Sequence, residues 1–221
     1  MKTLFHLTFA FVLGGVVLAQ QSPVPVEEEP HHHVVLRNES VLVMRVTLSP
    51  GESTLFHTHS HDRVAIDLTS ATITRQKLGD PEIVRESTKP GDVAASELNG
   101  PYIHQVHNVG PGVFEVLDVE LLQRPKQPGG TAAPKVEAEN PSARVYKWTL
   151  APGATSAMHT HDRPYLIVAA TPLTLKMTDP EGKSFTHEVK AGDVHWVDAR
   201  VTHTLANEGT AAGQIVEIEL K

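Results

Sequence analysis

The chain has 221 residues, 40% of them hydrophobic, and a net charge of −7. No Lys/Arg stripe runs through it, so neither a nucleic-acid groove nor an anionic membrane surface is an expected partner. Cysteine is absent, which excludes disulfides and thiolate metal sites; burial must supply the stability, and any metal must be held by His and oxygen ligands.

Residues 1–19 read as a secretory signal peptide. Lys2 precedes an apolar run from Leu4 to Leu18, and Val17-Leu18-Ala19 offers a small-residue cleavage site. The run is shorter than the ~20 residues that span a bilayer, so the mature chain is expected to be secreted or periplasmic, with no membrane contact after cleavage. Residues 20–33 carry Pro23, Pro25 and Pro30 around Glu27-Glu28-Glu29, a composition that predicts a disordered lead-in. His31-His32-His33 closes it and reads as part of the same solvated tail.

From residue 34 the pattern is short apolar runs separated by turns: 41–48, 64–68, 71–74, 83–84 and 113–122. Helical periodicity is absent, and such spacing indicates an all-β sandwich or barrel. Residues 123–139 gather Pro125, Pro128, Gly129, Gly130 and Pro134, a linker by composition. Strand-like runs resume at 145–150, 165–169, 173–177, 185–189, 194–197 and 215–220. The organisation expected is therefore one β unit over 34–122 and a second over 140–221.

The second unit repeats the first. Thr-Leu-x-Pro-Gly turns at 47–51 and 149–153 each lead, five residues after the glycine, to His-Thr-His, at His57/His59 and His159/His161. Side chains alternate along an extended segment, so each histidine pair projects from one face, and that face can hold a metal. His104 and Asn108 recur as His203 and Asn207, and Val119-Glu120-Leu121 recurs as Ile218-Glu219-Leu220. Matched spacing over about a hundred residues is the mark of a duplicated unit.

The paired segments resemble the two motifs of the cupin superfamily. The first, Gly-x5-His-x-His-x3-Glu, is matched by Gly51/His57/His59 and by Gly153/His159/His161. The second, Gly-x5-Pro-x-Gly-x2-His-x3-Asn, is matched by Gly192, His203 and Asn207, with Asp198 and Arg200 replacing Pro and Gly, and more loosely by Gly91, His104 and Asn108. The chain thus looks like a bicupin of two tandem jelly-roll-like β-barrels. The resemblance implies that His57, His59 and His104 converge on one divalent transition metal, and His159, His161 and His203 on another. Fe, Mn, Zn, Ni and Cu all suit such donors.

Where the family's fourth ligand, a Glu, is expected, this chain has Arg63 and Tyr165. Without a carboxylate each ion would keep its full double charge and an open position, favouring an anionic or bidentate oxygen substrate. His61 shares the parity of His57 and His59 but is read as a loop residue beside Asp62, and His187 and His195 as structural or surface histidines. Tyr165 is the candidate catalytic side chain, as proton donor or substrate contact, with a tyrosine that fills the barrel as the alternative. The function expected is that of a three-histidine metal-dependent oxygenase or lyase acting on a small oxygen-rich molecule. The alternative is a non-catalytic cupin module that binds a sugar, a small acid or a metal; assembly into a homo-oligomer is left open.

Overall fold

The structure is a computed structural model describing residues 22–85, 87–123, 135–198 and 200–221. The proposed signal peptide and residues 124–134 of the expected linker lie outside the described residues. The chain is all-β. The first unit comprises β1 (Val24–Pro25), β2 (His32–Arg37), β3 (Val41–Leu48), β4 (His57–His59), β5 (Asp62–Asp67), β6 (Ile73–Lys77), β7 (Ile83–Arg85), β8 (Val93–Ser96), β9 (Tyr102–Asn108) and β10 (Phe114–Leu121). The second comprises β11 (Val136–Glu139), β12 (Ala143–Leu150), β13 (His159–His161), β14 (Tyr165–Ala169), β15 (Leu173–Thr178), β16 (Ser184–Val189), β17 (Val194–Val197), β18 (Val201–Asn207) and β19 (Gly213–Leu220).

Each unit is a two-sheet barrel. Sheet order β1-β4-β9-β6-β7 faces β2-β3-β10-β5-β8 in the first; β13-β18-β15-β16 faces β11-β12-β19-β14-β17 in the second. The two orders superimpose strand for strand except for β1, which pairs in parallel with β4 (Val24 opposite His57) and covers an edge that has no counterpart on β13 among the described residues.

The sheets built on β10 and β19 have both faces buried. Val41, Val43, Val64, Ile66, Leu117 and Val119 point away from their own barrel and form one apolar cluster with Val145, Leu166, Val168, Val216 and Ile218 of the other. The barrels therefore pack back to back through a shared core. Alternation of side chains then leaves Val116, Asp118 and Glu120 on the interior face of β10, and Ile215, Glu217 and Glu219 on that of β19. Reciprocal hydrogen bonds seal the junction: Arg45 donates to the Ala191 carbonyl and Lys147 to that of Gly91. Gly91 and Gly192 are required there. Both have φ near +80°, and a Cβ would meet Gln214 Oε1 at 1.7 Å or Arg45 Nη2 at 1.8 Å.

Two expectations are corrected. The 20–33 lead-in is folded over its described part: Val26 starts a 3-10 turn and is buried, Glu29 and His32 are buried, and β2 begins at His32. Proline-rich composition misled because Pro25 ends an edge strand, where a missing N–H costs no ladder bond, and Val26 packs on Leu42 and Met44. The expected linker also ends early, since Val136–Glu139 is a strand paired with β12.

Candidate metal centres

Short strands set the histidines. In β4 and β13 the pattern is buried, partly exposed, buried, so both histidines face inward and the threonine between them does not. Antiparallel register supplies the third imidazole directly across the ladder, His57 opposite His104 and His159 opposite His203. All six are buried. Ring centroids lie 4.4–5.0 Å apart in the first trio and 4.5–5.4 Å in the second.

Nδ1 contacts aim the rings. His57 and His159 each place Nδ1 2.9 Å from a carbonyl two residues earlier, Leu55 or Ala157. His59 and His161 place Nδ1 2.7 Å from Glu120 and Glu219. Donation from Nδ1 leaves Nε2 toward the centre, the arrangement by which carboxylates and carbonyls orient metal-ligating imidazoles. The asparagines of the repeated motif are structural: Asn108 ties the Leu48 and Gly112 carbonyls, and Asn207 those of Leu150 and Ala211.

The centres differ in the carboxylate that β10 or β19 brings in. Glu217 reaches into the second trio, with Oε2 3.1 Å from His159 Nε2 and Oε1 3.3 and 3.1 Å from His161 and His203 Nε2. Trp148 Nε1 donates to Glu217 at 2.6 Å. The expectation that neither centre holds a carboxylate is thus wrong for the second barrel. The family motif places the acid at position 165 on β14, whereas here it comes from the closing strand, which lines the same interior. In the first barrel the equivalent is Asp118, and Arg63 takes it: Nε lies 3.1 Å from Asp118 Oδ1, while Nη1 is 3.3 Å from His59 Nε2. That trio, with His59 and His104 Nε2 2.9 Å apart, remains three histidines.

Charge follows. Burial, helped by neighbouring His32 and His59, pushes His57 down to about 3. Burial likewise lowers His59 to about 3, with Asp118 opposing and Arg63 reinforcing, and drives His104 far below the ordinary imidazole range. In the second barrel burial again opposes protonation, but the Glu217 carboxylate beside the ring and the hydrogen bond to Glu219 outweigh it and raise His161 to about 9. Burial would raise Glu217, yet the hydrogen bond to His159 and the close imidazoles of His161 and His203 hold it well below the usual carboxylate range.

Donor chemistry and geometry fit a transition metal. Glu217 Oε1, His161 Nε2 and His203 Nε2 are buried without hydrogen bonds and face one another, and an unpaired buried polar atom is costly unless something binds it. Once His161 gives up its proton, the four side chains are four neutral or anionic N/O donors, the number a closed site needs. His57, His59 and His104 offer three and leave the remainder open.

The approaches also differ. A cleft of about 580 Å³ opens into the first barrel past Arg63, Asp67, Arg75, Lys77, Arg85 and Tyr102. It narrows to a chamber of about 30 Å³ lined by His32, His57, His59 and His104, and Arg63, Asp67, Arg75 and Arg85 border both spaces. The corresponding cleft of the second barrel, about 530 Å³, is lined mainly by apolar residues including Ile167, Leu175, Met177 and Ile215 and is not bordered by the histidine trio.

Tyr165 lies flat on His161, centroids 3.9 Å apart, fully buried with Leu150, Ile167 and Leu205, and its hydroxyl has no hydrogen-bond partner. Burial and then the charges of Glu217 and Glu219 raise its phenol well above the ordinary value, so it stays protonated. His61 sits in the bend after β4, half-exposed, with Nδ1 3.2 Å from Glu120 rather than in the centre. His187 and His195 are exposed strand residues at the second cleft. Of the histidine run only His32 is buried; its ring lies 4.6 Å from that of His57, and its Nδ1 is 2.5 Å from buried Glu29.

No family model matches the chain. It is 34% identical over 90 residues to the beta-alanine degradation protein BauB of Pseudomonas aeruginosa, spanning 41% of this chain and 94% of that one. Among solved structures, a cupin 2 conserved barrel domain protein from Leptotrichia buccalis is similar with TM-score 0.51 and 13% identity, over 86% of this chain and 88% of that one. The chain belongs to the cupin superfamily. A salicylate 1,2-dioxygenase variant from Pseudoaminobacter salicylatoxidans, in complex with gentisate, shares the cupin fold with TM-score 0.59 at 12% identity, over 89% of this chain and 76% of that one.

Proposed function

We propose that this cupin is an exported metal-dependent oxygenase or lyase, with the first barrel as its reaction site and the second as a closed metal centre. One observation carries the reading: the His57/His59/His104 centre lies at the inner end of an open cleft, and among the described residues no carboxylate fills its fourth place. A divalent ion bound there would act as a Lewis acid on a substrate oxygen. His59 is held in orientation by Glu120, and His57 by the Leu55 carbonyl. Arg63 can donate N–H groups to an oxygen lying beside His59, while Asp118 fixes the guanidinium from behind. Small size and oxygen content of the substrate are supported by the narrow inner chamber and its polar wall. Gentisate in the dioxygenase neighbour and the beta-alanine in the name of the BauB relative are both small carboxylic acids, in line with this class. Export rests on residues 1–19 alone.

In this reading Tyr165 is not catalytic; it packs the His161 ring in a centre without an adjoining cleft. That closed centre favours a non-catalytic role for the second barrel, holding a metal for structure or storage. The test is elemental analysis of the full chain offered Fe, Mn, Zn, Ni and Cu together, followed by oxygen uptake and product analysis with diketones, flavonols and hydroxy acids. Metal in both centres and turnover lost in His104→Ala but kept in His203→Ala support the reading. Less than about a tenth of an equivalent of metal after reconstitution removes it.

A further inference from the structure

We propose that Arg75 is the specificity-determining residue of the first barrel, and that the ligand it selects is a hydroxy- or oxo-carboxylic acid whose carboxylate rests on this guanidinium while its second oxygen points toward the histidines. The inference deepens the proposed function and rests on it for the metal. Three guanidiniums border the passage from cleft to chamber, contributed by β5, β6 and β7. Two are committed to carboxylates, Arg63 to Asp118 at 3.1 Å and Arg85 to Asp67 at 3.1 Å. Arg75 makes no ion pair among the described residues, and its Nε is buried without a hydrogen bond. A guanidinium presents paired N–H donors that match a carboxylate, and leaving a buried donor such as this Nε unmatched is costly.

Room dictates the orientation. The inner chamber has space for about one or two water-sized groups, so only the reacting end of a ligand enters it while the body stays in the outer cleft. Arg75 borders both spaces, at the position where a carboxylate and the end of the molecule beyond it are held together. The second barrel supports the assignment by contrast. Arg75 pairs with Val106 across the β6–β9 ladder as Met177 pairs with Leu205 across β15–β18, so the same site in the sister barrel carries an uncharged side chain of similar length. There the cleft is apolar.

The experiment is calorimetric titration of the zinc-reconstituted full chain with glycolate and salicylate and with their primary amides, metal content being measured on every sample. The acids should bind more tightly than the amides by at least about tenfold, as loss of a charge-assisted pair implies. Arg75→Met, which copies the sister barrel, should abolish that preference with unchanged metal content, Arg75→Lys should retain part of it, and Lys77→Gln at the exposed rim should change affinity less than about threefold. Equal binding of acid and amide by the unaltered chain, no binding of either acid, or equal losses in Arg75→Met and Lys77→Gln would overturn the inference. A chain that takes up no metal overturns the proposed function instead, and the acid-over-amide preference in that metal-free protein still reads Arg75 separately.

Discussion

The two barrels share strand order, register and histidine positions, yet they treat buried charge in opposite ways. In the second, an anion sits among the imidazoles: Glu217 contacts all three, and His161 is protonated in compensation. In the first, two interior positions differ, Arg63 for the Tyr165 of β14 and Asp118 for Glu217; the shorter acid pairs with the arginine, which leaves three neutral histidines beneath a basic throat. The lesson is that a cupin centre is opened or closed by what pairs with the acid of its last strand, without any change in the histidines.

The largest effect expected from this contrast is in the matched pair Glu217→Gln and Asp118→Asn. Glu217→Gln should lower the stability of the metal-free chain by about 1–3 kcal/mol, because it removes one of the two carboxylates beside His161 and leaves buried imidazole nitrogens poorly paired, and should remove metal from one centre of two. Asp118→Asn should keep both metals and cost less, since Arg63 can turn toward the cleft. Thermal unfolding with elemental analysis reads both; equal losses in the two variants would erase the distinction between the barrels.

Next in size is the pH dependence of metal uptake. In the metal-free second centre His161 titrates at about 9, so binding must expel a proton and should weaken about tenfold per unit as pH falls from 9 toward 7. Binding at the first centre should be flat over that range, because His57 and His59 are already neutral there. Stability of the metal-free chain follows the opposite signs. The raised value of His161 contributes stability that is complete below 6.5 and lost as pH rises through 9, whereas the lowered values of His57 and His59 contribute stability present above 6.5 and lost as pH falls toward 3. Metal titrations at pH 7 and 9 on the single-centre variants His104→Ala and His203→Ala separate the two.

Last, Gly91→Ala and Gly192→Ala should each cost about 1–3 kcal/mol, since each forces a Cβ into a side chain of the other barrel at a positive φ. Similar losses in denaturant unfolding would confirm that the two junctions are equivalent; a loss at only one would show the pairing to be lopsided.

The histidine trios were legible because strand alternation and the repeated spacing act over a few residues, and the ladder partners His104 and His203 fall at matching offsets. The acids were visible as letters, Asp118 and Glu120 against Glu217 and Glu219, two per strand on one parity, but their destination was not. Parity says that they share a face; only packing of β10 and β19 against the neighbouring barrel makes that face the interior. Arg63 lies on one sheet and Arg75 and Arg85 on the other, and they meet across the barrel interior, so nothing local announced the throat. The folded lead-in was missed for a related reason, because Glu29 and His32 are stabilised by partners, Leu55 N–H and each other, that composition cannot supply.

The most direct test is a crystal structure of the metal-reconstituted chain with anomalous diffraction recorded at the metal edge. Two ions are predicted, one bound by His159, His161, His203 and Glu217, the other by His57, His59 and His104 with its remaining positions facing the arginine-lined passage. Asp118 bound to the first ion, or Glu217 turned away from the second, would contradict the account.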